Sequence, residues 1–221
     1  MKVSVVIPAL NEEENLKILL EELKNLSLIN EIIVIDGYSK DKTVEVANKY
    51  VDMVEYDKIG KGSALKKGMK LASGDIIICM DADLSMKSNE IYLLIAGIQA
   101  GYDLCMGSRF IQGGGTEDMS LTRKLGNKFF VFLVNVFWNM NYSDLCYGYR
   151  SFNKSCIEKL DLKNNGFGIE TELSIKAAKQ GLSVLEVPSY EKARIYGEGK
   201  LRTFNDGWII LKTILVELFK R

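Results

Sequence analysis

The chain has 221 residues, 47% of them hydrophobic and 26% charged, with 29 basic and 29 acidic side chains and no histidine. That length supports one substantial core, and a net charge of zero supplies no global field to recruit nucleic acid. Without imidazole there is no Ser-His or Cys-His nucleophile pair, no imidazole base and little room for a catalytic zinc site, which leaves carboxylates, cations, backbone dipoles or a bound metal to do chemistry.

The four cysteines, Cys79, Cys105, Cys146 and Cys156, follow no zinc or redox spacing and read as buried thiols of a reducing compartment. The residues after Met1 form a strand pattern and not a cleavable leader. No stretch reaches the length of a membrane-spanning helix.

In chain order, residues 2–8 read as a buried strand, and Asn11 as the cap of a helix over 12–26 whose first turn is acidic. A strand at 31–36, a helix at 42–49 and a strand at 51–56 follow. A helix at 61–72 is opened by Gly60 and Gly62. The strand at 75–80 precedes a helix at 88–100 and a strand at 102–107. This alternation predicts an α/β fold with a doubly wound, mostly parallel sheet, in which ligands sit beyond the carboxyl ends of the strands. Beyond it come a glycine loop at 113–118, expected to be flexible, and a helix at 120–140. A strand at 147–152, a helix at 169–180 and a strand at 182–187 follow, then a loop at 190–201 and an amphipathic helix at 208–221. The whole is expected to be one domain.

The run Ile76-Ile-Ile-Cys-Met-Asp-Ala-Asp83 ends a buried strand in two carboxylates whose side chains leave on the same side. Like charges so placed call for a cation between them, and a divalent ion that completes its shell with phosphate oxygens is the simplest. In isolation the pair would be a helix cap and a solvated neighbour. Beside Pro8-Ala-Leu-Asn-Glu12 and Asp36 at other strand ends, the cation reading gains weight.

These residues, in this order, resemble family 2 glycosyltransferases of the polyprenyl-phosphate (dolichyl-phosphate) hexose synthase type. The likeness runs over essentially the whole chain and includes Gly107-Ser-Arg-Phe110, Gly148-Tyr-Arg-Ser-Phe152, Gly168-Ile-Glu-Thr-Glu172 and Gly197-Glu-Gly-Lys-Leu201. It implies a GT-A type sheet, with residues 1–112 as the nucleotide-sugar half and 113–221 as the acceptor half. Pro8, Ala9, Glu12, Asp36, Lys61, Asp81, Arg194 and Lys200 would then hold the nucleotide sugar. Asp81 and Asp83 would bind Mg²⁺ or Mn²⁺ on the donor's diphosphate. Arg109, Arg123 and Asn127 would grip a polyprenyl or dolichyl phosphate, with Asp83, Arg109 and Arg123 as the catalytic set. Gly60-Lys-Gly62 looks like the glucosyl-type branch, a slight lean to a UDP-sugar. Ser85 stands where mannosyl relatives tend to have glutamine.

The reaction so implied is inverting hexose transfer to a phosphate oxygen, which is already ionised and needs no strong base. A second reading is transfer to a glycan or small-molecule hydroxyl, with Glu170 or Glu172 as the base. A third is a nucleotide-sugar-binding protein without catalysis. The apolar stretches at 129–140 and 208–221 would place the chain on the cytoplasmic face of a membrane as a peripheral protein; otherwise they are core or homo-oligomer surfaces.

Overall fold

A computed structural model of the chain describes residues 1–197, 199–200 and 202–220. The β-branched runs form β1 (Val3–Ala9), β2 (Glu31–Asp36), β3 (Met53–Tyr56) and β4 (Ile76–Cys79). Between them lie α1 (Glu13–Lys24), α2 (Thr43–Ala47) and α3 (Lys61–Leu71). A short 3₁₀ turn leads into α4 (Ile91–Gln99), followed by β5 (Leu104–Ser108), β6 (Gly115–Thr116) and α5 (Leu121–Trp138). The last third holds β7 (Arg150–Asn153), α6 (Lys154–Ile157), α7 (Ile169–Lys179), β8 (Val184–Pro188), β9 (Tyr190–Glu191) and α8 (Thr203–Phe219).

Seven strands make one sheet in the order β3-β2-β1-β4-β7-β5-β8, and β7 alone runs antiparallel to its neighbours. The strands are apolar on both faces because helices cover both. Val3, Val5, Ile7, Ile76 and Ile78 pack with Leu16, Leu20 and Ile95 of α1 and α4. Val6, Ile33, Ile77 and Cys79 turn the other way, onto α3, α5, α7 and α8. Each fully buried aliphatic side chain stabilises the fold by about 1.5–3 kcal/mol.

The reversed strand matters for the site. Its first residue, Arg150, pairs with Cys79 of β4 and with Met106 of β5, near the carboxyl ends of those strands. The segment just before β7 therefore arrives at the edge where β1, β2, β4 and β5 end. The observed strand begins three residues after the expected start at 147, which leaves Tyr147 and Gly148 in that approaching loop.

Four local expectations are corrected. Asn11 does not cap α1: it sits at φ 50° and its Oδ1 accepts from the backbone N–H of Lys40 at 2.7 Å, tying the β1 loop to the β2 loop. The 113–118 loop is not loose, since β6 within it pairs in parallel with β9 and Glu117 accepts from Tyr190 and from the N–H of Ala193. The same pairing puts strand into the expected 190–201 loop. The last helix starts at Thr203 and not at 208. Glu198, Leu201 and Arg221, which belong to motifs or elements read from the sequence, lie outside the described residues.

Candidate functional site

A cavity of about 740 Å³ opens at the carboxyl edge of the sheet. Pro8, Ala9 and Glu12 reach it from the end of β1, Asp81 and Asp83 from the end of β4, and Arg109 from the end of β5. Lys61 comes from the first turn of α3, Cys146, Tyr147 and Gly148 from the loop before β7, and Glu170 from the first turn of α7. Arg123 and Asn127 line it from α5, and Arg194 and Lys200 from the segment after β9. Every expected site residue except Asp36 is brought to this wall.

Asp36 is fully buried, and its two carboxylate oxygens accept from the backbone N–H and the hydroxyl of Ser39. It shapes the turn after β2 and does not face the cavity. Asp57, which the sequence reading passed over, lines the cavity instead, at the end of the neighbouring strand β3. Its signal was the same one used elsewhere, a carboxylate just past a strand end.

Each of the paired carboxylates has a protein cation. Lys61 Nζ lies 2.7 Å from Asp81 Oδ1 and 3.0 Å from Glu170 Oε1. Burial pulls the Lys61 ammonium pKa down, but the charges of Asp81 and Glu170 reverse this and hold it above its ordinary value. Burial pushes the Asp81 carboxyl up; Lys61 draws it back and the nearby charge of Asp83 adds to the rise. Arg194 bridges the loops that follow β1 and β4: Nη2 donates to Asp83 Oδ2 at 2.8 Å, and Nη1 to both oxygens of Glu12 at 3.0 Å. Lys200 Nζ donates to Glu12 Oε1 at 2.9 Å. Ser85 pins the other oxygen of Asp83, donating from its N–H at 3.1 Å and its hydroxyl at 2.7 Å.

Gly60 and Gly62 have a packing reason. A Cβ on Gly62 would meet backbone atoms of Asn164, Asn165 and Gly166 at 2.7–2.8 Å, so the close approach there is by the 164–166 segment of the chain itself. A Cβ on Gly148 would come within 3.2 Å of Lys61 Nζ and 3.4 Å of Asp81 and Glu170, crowding the ion cluster.

Towards the other end of the cavity, Arg109 is almost buried and held by Asp144 and Glu191. Asn127 is 2% exposed, and its Oδ1 accepts from the N–H groups of Leu145 and Cys146, both at 3.2 Å. That fixes the amide, and its Nδ2 is left buried with no acceptor among the described residues. A buried unpaired donor costs about 1–3 kcal/mol unless a ligand accepts from it. Arg123 donates from Nε to Thr203 at 3.3 Å, linking α5 to α8 at the mouth. Phe129, Phe204 and Trp208 line the cavity there and are themselves half or more exposed.

Of the two alternative base candidates, Glu172 is withdrawn from the cavity: it accepts from the N–H groups of Lys163 and Asn164 and pairs with Lys176. Glu170 lines the cavity but is 4% exposed and pairs with Lys61.

Among the described residues the wall carries six cationic side chains, Lys58, Lys61, Arg109, Arg123, Arg194 and Lys200, and eight carboxylates. The carboxylate surplus is two, so a diphosphate entering it brings charge of the same sign as the wall's excess. A divalent cation offsets that surplus, and Asp81 and Asp83 fit one as hard oxygen ligands. Among the described residues no group of three or more carboxylates or thiols could hold a metal ion alone.

Residues 4–161 match the model of glycosyl transferase family 2, and the chain belongs to that family. It is 36% identical over 212 residues to a dolichol-phosphate mannosyltransferase of Pyrococcus furiosus, covering 91% of this chain and 60% of that protein. It is 31% identical to a polyprenol monophosphomannose synthase of Mycolicibacterium smegmatis, covering 91% of this chain and 81% of the other. Glucosyl-3-phosphoglycerate synthase from Mycobacterium tuberculosis, solved with UDP, superposes with a TM-score of 0.78 at 21% identity, over 98% of this chain and 80% of that one. At that identity the likeness is one of fold, and the fold is the expected GT-A sheet.

Proposed function

We propose that the protein transfers a hexose from a nucleotide sugar to a polyprenyl monophosphate with inversion at the anomeric carbon. The observation that carries this reading is the stretch of cavity wall formed by α5, α8 and Arg109. Arg109, Arg123 and the oriented Nδ2 of Asn127 offer donors suited to an anionic head, beneath a mouth of Phe129, Phe204 and Trp208 suited to an apolar tail. A phosphate oxygen forms the new bond to the anomeric carbon as the bond from that carbon to the diphosphate breaks, and the nucleoside diphosphate leaves with the electron pair. No proton has to be removed from the attacking oxygen.

The chain's own residues position both partners. Glu12, Arg194 and Lys200 hold the donor loops together, Lys61 balances Asp81 and Glu170, and Arg109 and Arg123 counter the acceptor's charge. Mg²⁺ or Mn²⁺ held by Asp81 and Asp83 would neutralise charge on the leaving diphosphate. The pairing of Glu170 with Lys61 and the withdrawal of Glu172 argue against a hydroxyl acceptor, which needs a free base.

The names of the two mannosyl relatives support mannose as the hexose, against the slight sequence lean to a UDP-sugar. We assign the chain a peripheral membrane position. Among the described residues no helix is long and apolar enough to cross a membrane. Leu121, Leu125, Phe129, Phe132 and Val136 form one exposed apolar stripe along α5, at spacings of three and four residues, and exposed Phe204 and Trp208 of α8 share the cavity wall with Phe129.

The test supplies GDP- and UDP-sugars with Mn²⁺ and either a prenyl monophosphate or free glycans. Labelled prenyl-phosphate sugar is the expected product, and transfer to glycan hydroxyls alone would overturn the reading.

A further inference from the structure

An arginine guanidinium carries five N–H donors in one plane. At Arg109, Nε donates to Asp144 Oδ2 at 2.7 Å, Nη2 to Asp144 Oδ1 at 2.9 Å and Nη1 to Glu191 Oε1 at 2.9 Å. The ring of Tyr147 covers one face, with its centre 4.5 Å from Cζ. Three donors are thus taken in the plane and one face is stacked. One N–H on Nη1 and one on Nη2 remain at the wall of the cavity that Arg109 lines.

The holders converge from separate parts of the chain. Asp144 and Tyr147 come from the loop before β7 and Glu191 from β9, whereas Arg109 directly follows β5. Asp144 is fully buried and is itself seated. The N–H of Cys146 donates to its Oδ1 at 3.2 Å, and Glu186 on β8 accepts from the N–H groups of Ser143 at 3.0 Å and Asp144 at 3.2 Å. Glu191 is likewise fixed, accepting from the hydroxyl of Thr116 on β6.

Stability alone does not explain this arrangement. A buried ion pair roughly breaks even against apolar residues of the same volume, and one carboxylate already neutralises the guanidinium. A second carboxylate and a stacked ring add orientation, because a planar fork held on two sides and one face has a single pose. We propose that Asp144, assisted by Glu191, is a positioning residue for the transfer: it holds Arg109 in the pose that leaves two parallel-plane N–H donors for the acceptor phosphate. The proposal rests on the reading of Arg109 as a contact to that phosphate.

The experiment is steady-state kinetics of the full chain on a short prenyl monophosphate, with Asp144→Asn, Glu191→Gln, Arg109→Lys and the Asp144→Asn/Arg109→Lys double variant. Loss of the pose is expected to raise the acceptor KM about 10-fold in Asp144→Asn and about 3-fold in Glu191→Gln, with the donor KM within about 2-fold of the parent. The double variant is expected to be no worse than Arg109→Lys alone, since a lysine has no plane to hold. A purely structural role gives a different pattern: lowered melting temperature and kcat with both KM values unmoved or moved together, and that pattern overturns the proposal. If Arg109→Lys leaves the acceptor KM at the parental value, the acceptor reading itself fails. If Arg109→Lys raises it and neither carboxylate variant does, only the positioning proposal fails. Should Asp144→Asn not fold, Glu191→Gln decides the matter by the same readout.

Discussion

Arg194 Nη2 lies 2.8 Å from Asp83 Oδ2, across 111 residues of sequence. The same guanidinium reaches Glu12 through Nη1, so one cation joins the β1 loop, the β4 loop and the segment after β9. Burial lowers the Arg194 pKa, and Asp83 and Glu12 together raise it above its ordinary value, so the guanidinium stays charged. Asp83 has a side-chain exposure of 19% and no apolar packing role, which makes it a clean site to test. Asp83→Ala is expected to lower turnover by about 10³-fold or more while the melting temperature stays within a few degrees. Isothermal titration with Mn²⁺ and nucleoside diphosphate should lose its binding heat in the same variant. Full activity there would overturn the metal assignment.

Lys61 stands between two acidic groups, and removing it leaves both uncompensated in a shielded site. Lys61→Met is expected to destabilise the fold by about 3 kcal/mol in denaturant unfolding, in line with breaking a buried pair. Adding Glu170→Gln to that variant should recover part of the loss, because one of the stranded charges is then gone.

Glu170→Gln by itself separates the acceptor classes. With a phosphate acceptor, kcat is expected to stay within about 3-fold of the parent, because no base is used. A fall of about 10²-fold or more in transfer to a glycan or small-molecule hydroxyl would make Glu170 a general base and favour the hydroxyl reading.

The thiols give a pH prediction. Burial pushes Cys79, Cys105 and Cys146 up to about 12 from 9.0. In the native protein at pH 8 they are protonated and should react with an alkylating reagent far more slowly than in denaturant, where all four cysteines label. The linkage has a definite sign: the unfolded thiols ionise near their ordinary pKa and the native ones do not. Stability is therefore full below about pH 8.5 and falls as the pH rises through 9 and above. Urea midpoints measured at pH 7.5 and pH 10 should show it.

The exposed stripe on α5 predicts membrane attachment. Leu125 is 59% and Phe132 62% exposed, so charge at either position costs little stability. Leu125→Glu with Phe132→Glu is expected to move the protein from the floated to the bottom fraction with anionic liposomes, leaving its melting temperature unchanged. Flotation of the doubly substituted chain at the parental level would assign the stripe another role.

Much of the fold was legible because it is written in local periodicity. The buried runs at 76–79 and 31–36, and the helices between strands, follow from apolar spacing that any window of the chain displays. Placement of Glu12, Asp81, Asp83 and Arg109 at one edge follows from that alternation, since parallel strands end on the same side. The reversal of β7 was not legible: a four-residue strand has the same apolar pattern in either direction. The partners of Asp36 and Asn11 were not legible for a related reason, because which neighbour takes a short polar side chain depends on how two loops meet.

By itself, then, the sequence determined the order of the longer strands and helices, the residues available at the sheet's carboxyl edge, and the absence of imidazole chemistry. Only the tertiary structure decided the partners. It placed Lys61 between Asp81 and Glu170, Arg194 between Glu12 and Asp83, and Asp144 on Arg109, with Glu172 turned away and Asp57 brought in. The physical reason is range. Backbone periodicity is encoded within a turn or two of chain, whereas an ion pair forms where sheet order and strand direction bring distant side chains within about 3 Å, and no local pattern records that.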